Sequence, residues 1–318
     1  MIVFSFQFSV LNLLFIVHYS LYSHMKHLIP FFILLISAAS CTERINIHVD
    51  DAPPHIVIYG LITTDVKQHA IHITRSAGYF TTDSPEGISN AVVTISDDAG
   101  KVIPLIENDT IQGMYQTSAD VCGEEGKTYT LDIYIDNDGN RPSTHYRSEA
   151  YLQHINHIDS VGLQASLLFR QSVEVLLYAQ DIGGNNYYSI FVAINDSVVN
   201  SRITRFMVMD NALFRGQYMN GIACYYLSQN PDSEYRNEIL HIGDTVTLNI
   251  NAISQEYATF ISNAQSEIRG SNPIFGGPPA NVPSNIRCIS PPNGTPALGF
   301  FTAYPSRYAQ TIVTKEFK

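Results

Sequence analysis

The chain has 318 residues, with 18 Lys and Arg against 29 Asp and Glu and a formal net charge of −11 at pH 7. An acidic chain with few clustered cations is unsuited to neutralising a phosphate backbone, so we exclude nucleic acid as a partner. Its four cysteines do not follow zinc-ligand spacing such as Cys-x-x-Cys, which argues against a structural metal site.

One apolar stretch near the start has the form of a secretory signal. Met25 and Lys26 give a basic start, an apolar run covers 28–36, and small residues come directly before Cys41. This order is typical of a bacterial lipoprotein, in which the signal peptide is cleaved off directly before the cysteine and the cysteine thiol is acylated. We therefore predict a signal peptide at 25–40 and lipidation of Cys41, with an uncleaved signal anchor as the alternative.

Residues 1–24 are also apolar and aromatic, and they precede the better start at Met25. We predict that they are an extension outside the translated protein; a membrane-spanning helix over 2–17 is the alternative. Cleavage before Cys41 leaves 278 residues with 17 basic and 29 acidic side chains. This balance gives no basic patch for membrane attachment, so attachment would depend on lipid.

Strand-like segments follow a polar tether at 41–54 and end in turns rich in Asp, Asn and Gly. They are β-branched or alternate apolar and polar residues, as half-buried strands do. The segments cover 55–62, 70–75, 91–96, 102–106 and 129–135. Their spacing predicts an immunoglobulin- or transthyretin-like sandwich over 55–150.

The second half, 151–318, predicts a larger antiparallel β domain with one amphipathic helix. Strand patterns occur at 158–161, 173–178, 187–194, 246–250 and 297–304. A helix is predicted over 254–269, because apolar residues recur there at spacings of three and four and Ser254 supplies an N-cap. The segment 205–236 is rich in Asn, Tyr and Met and predicts a long loop region.

Tyrosines in that loop region are the candidate binding residues. The chain has 19 Tyr and no Trp, and tyrosine supplies rigid, amphipathic contact area. The candidates are Tyr218, Tyr225, Tyr226 and Tyr235. A tyrosine-rich sandwich core explains them equally well.

Lipidation of Cys41 leaves three cysteines: Cys122, Cys224 and Cys288. An odd count in an exported protein allows one disulfide and one free thiol, in any of three pairings. Cys224 and Cys288 are the candidate pair. Three buried, unpaired thiols are the alternative.

The sequence contains no recognised catalytic motif. His154, His157 and Asp159 come nearest to a ligand cluster, but alternation along a strand puts the two histidines on opposite faces. The run Asp136–Asn140 is similar to a calcium loop, yet it lacks the closing Glu and is explained by a hairpin turn. We predict no catalytic residue, no metal and no cofactor.

Several short pieces occur in a characteristic order along the mature chain. They are Cys41, the strand 57–62, the pieces 123–135, 158–161, 186–190 and 243–246, and a tail from the helix through 278–286 to 297–301. In this order the chain resembles the Bacteroidetes lipoprotein family known as domain of unknown function 4249. The resemblance implies a lipid-anchored outer-membrane protein, often encoded beside a TonB-dependent transporter, and brings no catalytic site.

We therefore predict a non-enzymatic accessory lipoprotein that binds or docks within a TonB-dependent transport system through region 205–236. One alternative is a surface hydrolase or peptidase with an unrecognised site, favoured if His154, His157 and acidic residues meet in a cleft. Another is a structural or adhesive surface protein. Attachment at the periplasmic face of the membrane and attachment at its cell-surface face both agree with the sequence.

Overall fold

The computed structural model describes residues 54–77, 84–137, 141–270, 281–292 and 294–317. Within these ranges the chain is mainly β with one α-helix, which confirms the predicted fold class. The predicted extension, the signal peptide, Cys41 and the tether up to residue 53 lie outside the described residues.

Strands are numbered in chain order, and all of them belong to one of three sheets. They are β1 (Ile56–Thr63), β2 (Ala70–Arg75), β3 (Val92–Asp97), β4 (Val102–Glu107), β5 (Met114–Gln116), β6 (Thr128–Asn137), β7 (Arg141–Tyr151), β8 (Ile158–Ala165), β9 (Ser172–Gln180), β10 (Tyr187–Ile194), β11 (Ser197–Val198), β12 (Met207–Asp210), β13 (Tyr218–Ser228), β14 (Thr245–Ile253), β15 (Arg287–Ser290), β16 (Leu298–Tyr304) and β17 (Ser306–Ile312).

The largest sheet has nine strands in the order β15-β7-β6-β3-β4-β5-β2-β1-β16. Its inner side chains alternate with outer ones, so that Val93 and Ile95 are buried while Val92 is exposed. The parallel pair β1–β16 brings a late part of the chain back to this sheet. Residues 52–318 form one compact unit, and the predicted division near residue 150 stays a prediction.

The remaining strands form a smaller sandwich. Three strands, β13-β9-β8, face a five-stranded sheet in the order β11-β10-β14-β17, in which β12 also pairs with β10. One buried cluster contains Val175 and Leu177 of β9, Val192 of β10, and Leu248 and Ile250 of β14. Because both sheets contribute to this cluster, they pack face to face.

The helix α1 (Gln255–Arg269) confirms the predicted helix and its N-cap. The Ser254 hydroxyl accepts a hydrogen bond from the Tyr257 N–H at 3.1 Å. Tyr257 and Ile261 are buried in a cluster with Phe300 of β16, and the Tyr257 hydroxyl lies 2.8 Å from that of Tyr59 on β1. The helix is therefore fixed against the nine-stranded sheet.

The prediction of a long loop region at 205–236 is wrong, because this segment contains β12 and the eleven-residue β13. The pairing of β13 with β9 shifts register between Asn220 and Ile222 and again between Ala223 and Tyr225. Gly221 between the first two has a positive φ of 75°. Such bulges break the period-two pattern by which a strand is recognised in a sequence.

The structure corrects the predicted disulfide between Cys224 and Cys288, because all three described cysteines are free thiols. Cys224 is fully buried between the sandwich sheets, where its thiol lies 3.2 Å from the Val175 carbonyl oxygen and burial raises its pKa to about 12. Cys288 packs against the separate core of the nine-stranded sheet. Two thiols in different cores have no route to a shared bond.

Candidate docking groove

Two of the four candidate tyrosines, Tyr225 and Tyr235, contact the ion pair between Arg205 and Glu238. The Arg205 guanidinium donates to the Val199 carbonyl oxygen at 2.7 Å, to the Tyr225 hydroxyl at 2.8 Å and to the Glu238 carboxylate. It also lies 4.1 Å from the centre of the Tyr235 ring. Since Tyr225 is only 8% exposed and Glu238 is buried, this cluster satisfies a buried charge and offers little free surface.

The other two candidates, Tyr218 and Tyr226, lie far apart on β13. Tyr218 is 48% exposed and pairs with Gln180, whereas Tyr226 pairs with Glu174. These partners are six positions apart on β9, which corresponds to about 20 Å of strand. Tyr226 packs edge to face against Phe169, with ring centroids 4.9 Å apart. The four tyrosines therefore do not form one binding surface.

The histidines singled out in the sequence also lie in separate pairs. His154 Nδ1 is 3.1 Å from a Glu125 carboxylate oxygen, and His157 Nε2 is 2.7 Å from that of Asp159. Both histidines are exposed. Across the residues that the structure describes, no three His, Cys, Asp or Glu side chains are grouped so as to hold a metal ion. The turn Asp136–Asn140 lies largely outside those residues.

A groove of about 450 Å³ separates β12 from α1, and we call it the β12–α1 groove. Tyr187, Phe206, Met207, Val208 and Asp210 line its strand side. Its helix side is lined by Ala258, Thr259, Ile261, Ser262, Asn263, Gln265 and Arg269. This volume lies within the range of ligand-binding clefts, and the lining combines apolar with polar side chains.

The strand side of the groove is an unpaired sheet edge. β12 pairs with β10, and no second strand pairs with it among the described residues. The Asn211 N–H donates to the Asn186 carbonyl oxygen at 3.1 Å, on the β10 side. Because main-chain groups alternate along an antiparallel strand, Val208 and Asp210 turn theirs away from β10. Such an edge is a template for a further strand.

The helix closes only one end of this edge. The Gln265 amide donates to the carbonyl oxygens of Ile203 and Phe206, both at 2.8 Å. The Arg269 guanidinium donates to the Thr204 carbonyl oxygen at 3.0 Å and stays exposed. These bonds hold α1 beside the strand, and within the described ranges no residue hydrogen-bonds to the outward main-chain groups of Val208.

The sequence predicted α1 but missed the groove. The run 207–210 is only four residues long, which is too short for a reliable strand pattern. The Met-Val-Met run at 207–209 lies more than 40 residues before the predicted helix, so no local pattern relates the two. The part of the chain that the structure describes has no helix of the length and apolar character needed to cross a membrane.

Comparison with known proteins gives one family. No curated protein matches the chain. A crystal structure of a DUF4785 family protein from Legionella pneumophila is 10% identical, with a TM-score of 0.24, over 62% of this chain and 52% of that one. The chain thus spans about half the length of that protein, and so low a TM-score carries no argument. A family model for DUF4249, a domain of unknown function, matches residues 42–309, and the chain belongs to this family.

Proposed function

We propose that the protein is a Bacteroidetes outer-membrane lipoprotein, held by lipid on Cys41, and a non-enzymatic docking component of a TonB-dependent transport system. Small residues directly before Cys41 support the anchor. The family match begins at residue 42, the position after Cys41. Cleavage before Cys41 would leave a mature chain that starts at residue 41, so the matched region begins directly after the lipidated cysteine.

The open edge of β12 beside α1 is the observation that carries the docking role. Extended segments bind such an edge by strand addition: main-chain hydrogen bonds provide affinity, and flanking pockets select alternate side chains. Val208 and Asp210 offer N–H and C=O groups, and the apolar residues that line the β12–α1 groove can contact side chains of the added strand. The proposed occupant is an extended segment of the transporter barrel.

The lipid anchor compensates for the small size of this contact. Each main-chain hydrogen bond contributes a net of about 0.5–1.5 kcal/mol, and two residues offer only four such groups. A contact of this size is weak in dilute solution. Confinement of both partners to one membrane raises their effective concentration, so the anchor and the groove act together.

Copurification from outer membranes tests this proposal. A C-terminal tag on the wild-type protein should recover a TonB-dependent barrel after detergent extraction. Ser262→Trp places a large ring in the β12–α1 groove from an exposed helix position, and it should lose the barrel. Gln255→Trp, at a position that is also exposed on α1 but lies outside this groove, should retain it. The proposal fails if wild type recovers no barrel or if both variants recover it equally.

Membrane fractionation tests the anchor separately. Cys41→Ser removes the thiol that would be acylated, and the variant should leave the outer-membrane fraction. A variant that stays in that fraction as wild type does would contradict lipid attachment at Cys41.

A further inference from the structure

A second unassigned surface is the tip of the β8–β9 hairpin. Leu167, Leu168 and Phe169 are consecutive and are 91%, 77% and 53% exposed. Scattered apolar residues on a surface need no explanation, but a contiguous exposed run indicates an interaction site. We call residues 167–169 the apolar tip.

Local hydrogen bonds hold the apolar tip in an ordered turn. The Ser166 hydroxyl accepts from the N–H groups of Leu168 and Phe169 at 3.2 and 3.1 Å, and it donates to the Glu174 carboxylate at 2.8 Å. The Phe169 ring is also supported from the side by Tyr226. The three apolar side chains are therefore presented outward by a preorganised loop.

The chemistry around the apolar tip matches a lipid–water interface. The exposed Arg170 follows directly, and its long side chain can reach a phosphate while its stem stays among acyl chains. Tyr226 beside the tip is a residue type that prefers the interfacial layer. The nearby Glu174 carboxylate already accepts from Ser166. A bilayer accommodates a protruding apolar tip without requiring a pocket on the protein.

We propose that the apolar tip inserts into the interfacial layer of the phospholipid membrane that carries the protein. This inference rests on the proposed lipid anchor, which keeps the chain at that membrane. Lipid and tip then make two contacts with one bilayer, which fixes the orientation of the domain. A single flexible tether leaves that orientation free.

A tryptophan reporter tests this directly, because the natural chain has no Trp. Phe169→Trp and Leu168→Trp each place the only indole at the tip. Leu213→Trp is the matched control, since Leu213 is 93% exposed in the loop before β13, at the opposite end of the three-stranded sheet. Each lipidated protein is reconstituted alone into vesicles of phosphatidylethanolamine and phosphatidylglycerol and isolated by flotation.

We expect emission from both tip reporters to shift to shorter wavelength and to be quenched by brominated acyl chains, while the Leu213→Trp reporter shows neither effect. Adding Leu167→Asp to a tip reporter should reverse the shift. Protein that floats with vesicles but shows unquenched tip reporters overturns the tip proposal and leaves the anchor intact. A shift seen only after a barrel is added overturns it in favour of a protein contact. Protein that does not float contradicts the anchor and the tip together.

Discussion

The two ends of the three-stranded sheet differ in what they bury: one end buries a carboxylate, and the other exposes apolar side chains. Directly after β9, Asp181 is 3% exposed, yet it carries a carboxylate. It accepts from the Tyr188 hydroxyl at 2.6 Å and from the Asn211 amide at 2.9 Å. The N–H groups of Gly183 and Gly216 donate to it at 2.9 and 2.7 Å. This end buries a polar group and satisfies it completely.

The other end exposes apolar side chains, which folded proteins usually bury. There the apolar tip projects from a turn that is fixed by Ser166. A buried, satisfied carboxylate contributes to folding, because each donor around it would be unpaired without it. Exposed apolar side chains contribute little to folding and are available for binding. Substitutions at the Asp181 end should therefore change the free energy of unfolding, whereas substitutions at the apolar tip should change binding.

The largest effect is expected for Asp181→Asn. The amide nitrogen would face donors that now point at a carboxylate oxygen, so the free energy of unfolding should fall by about 3 kcal/mol. Asp210→Asn is the control, since Asp210 is exposed and accepts from the Ala212 N–H at 2.9 Å. Urea denaturation measures both. Equal stability of the two variants would show that the Asp181 network is not stabilising.

The second largest effect is expected at low pH, which should reduce the contribution of Asp181 to the free energy of unfolding. Burial opposes ionisation of Asp181, but hydrogen bonds from Gly216, Tyr188 and Gly183 outweigh it and hold the pKa of Asp181 below its usual range. Its contribution is therefore present above the pKa of an unfolded Asp, about 3.9, and is lost as pH falls through the lower folded pKa. The stability gap between wild type and Asp181→Asn should narrow from pH 7 to pH 3. A constant gap would contradict this linkage.

A smaller effect is expected for Ser166→Ala at the tip. The substitution removes the acceptor for two N–H groups and should cost about 1 kcal/mol. Amide hydrogen exchange should become faster at Leu168 and Phe169. Ser262→Ala, an exposed serine on α1, should leave those two amides unchanged. Unaltered exchange in Ser166→Ala would mean that the hydroxyl does not order the turn.

The smallest effect on stability is expected for Leu167→Asp, within about 0.5 kcal/mol of wild type, because the side chain lies in water. Leu213→Asp should behave alike in urea denaturation. A large loss for Leu167→Asp would assign the tip to the folded core and remove the contrast between the two ends.

Much of the fold follows from local sequence patterns. The strand predicted at 187–194 matches β10, that at 70–75 matches β2, and α1 begins directly after its predicted cap at Ser254. In each case apolar spacing and turn chemistry agree with the final structure. β7 was missed because 141–151 mixes proline with polar and charged residues, and β13 because bulges interrupt its alternation.

The candidate sites depend on how strands that are distant in the sequence pair with one another, which short sequence patterns do not contain. The β12–α1 groove exists because β12 is left at an edge, and an edge is set by the register of distant strands. Residue type alone does not separate a buried cluster from a free surface, so the sequence allows both a binding role and a core role for the tyrosines of β13. Cys41 is the reverse case: its proposed role depends on the sequence around it, and it lies outside the described residues.

Site-specific photo-cross-linking tests the docking role most directly. A photoreactive residue at Ser262 faces the β12–α1 groove, and the same residue at Gln255 lies on α1 outside it. In outer membranes, Ser262 should form an adduct with an extended segment of a TonB-dependent barrel, and Gln255 should form none. No adduct at Ser262, or equal adducts at both positions, would contradict strand addition at β12.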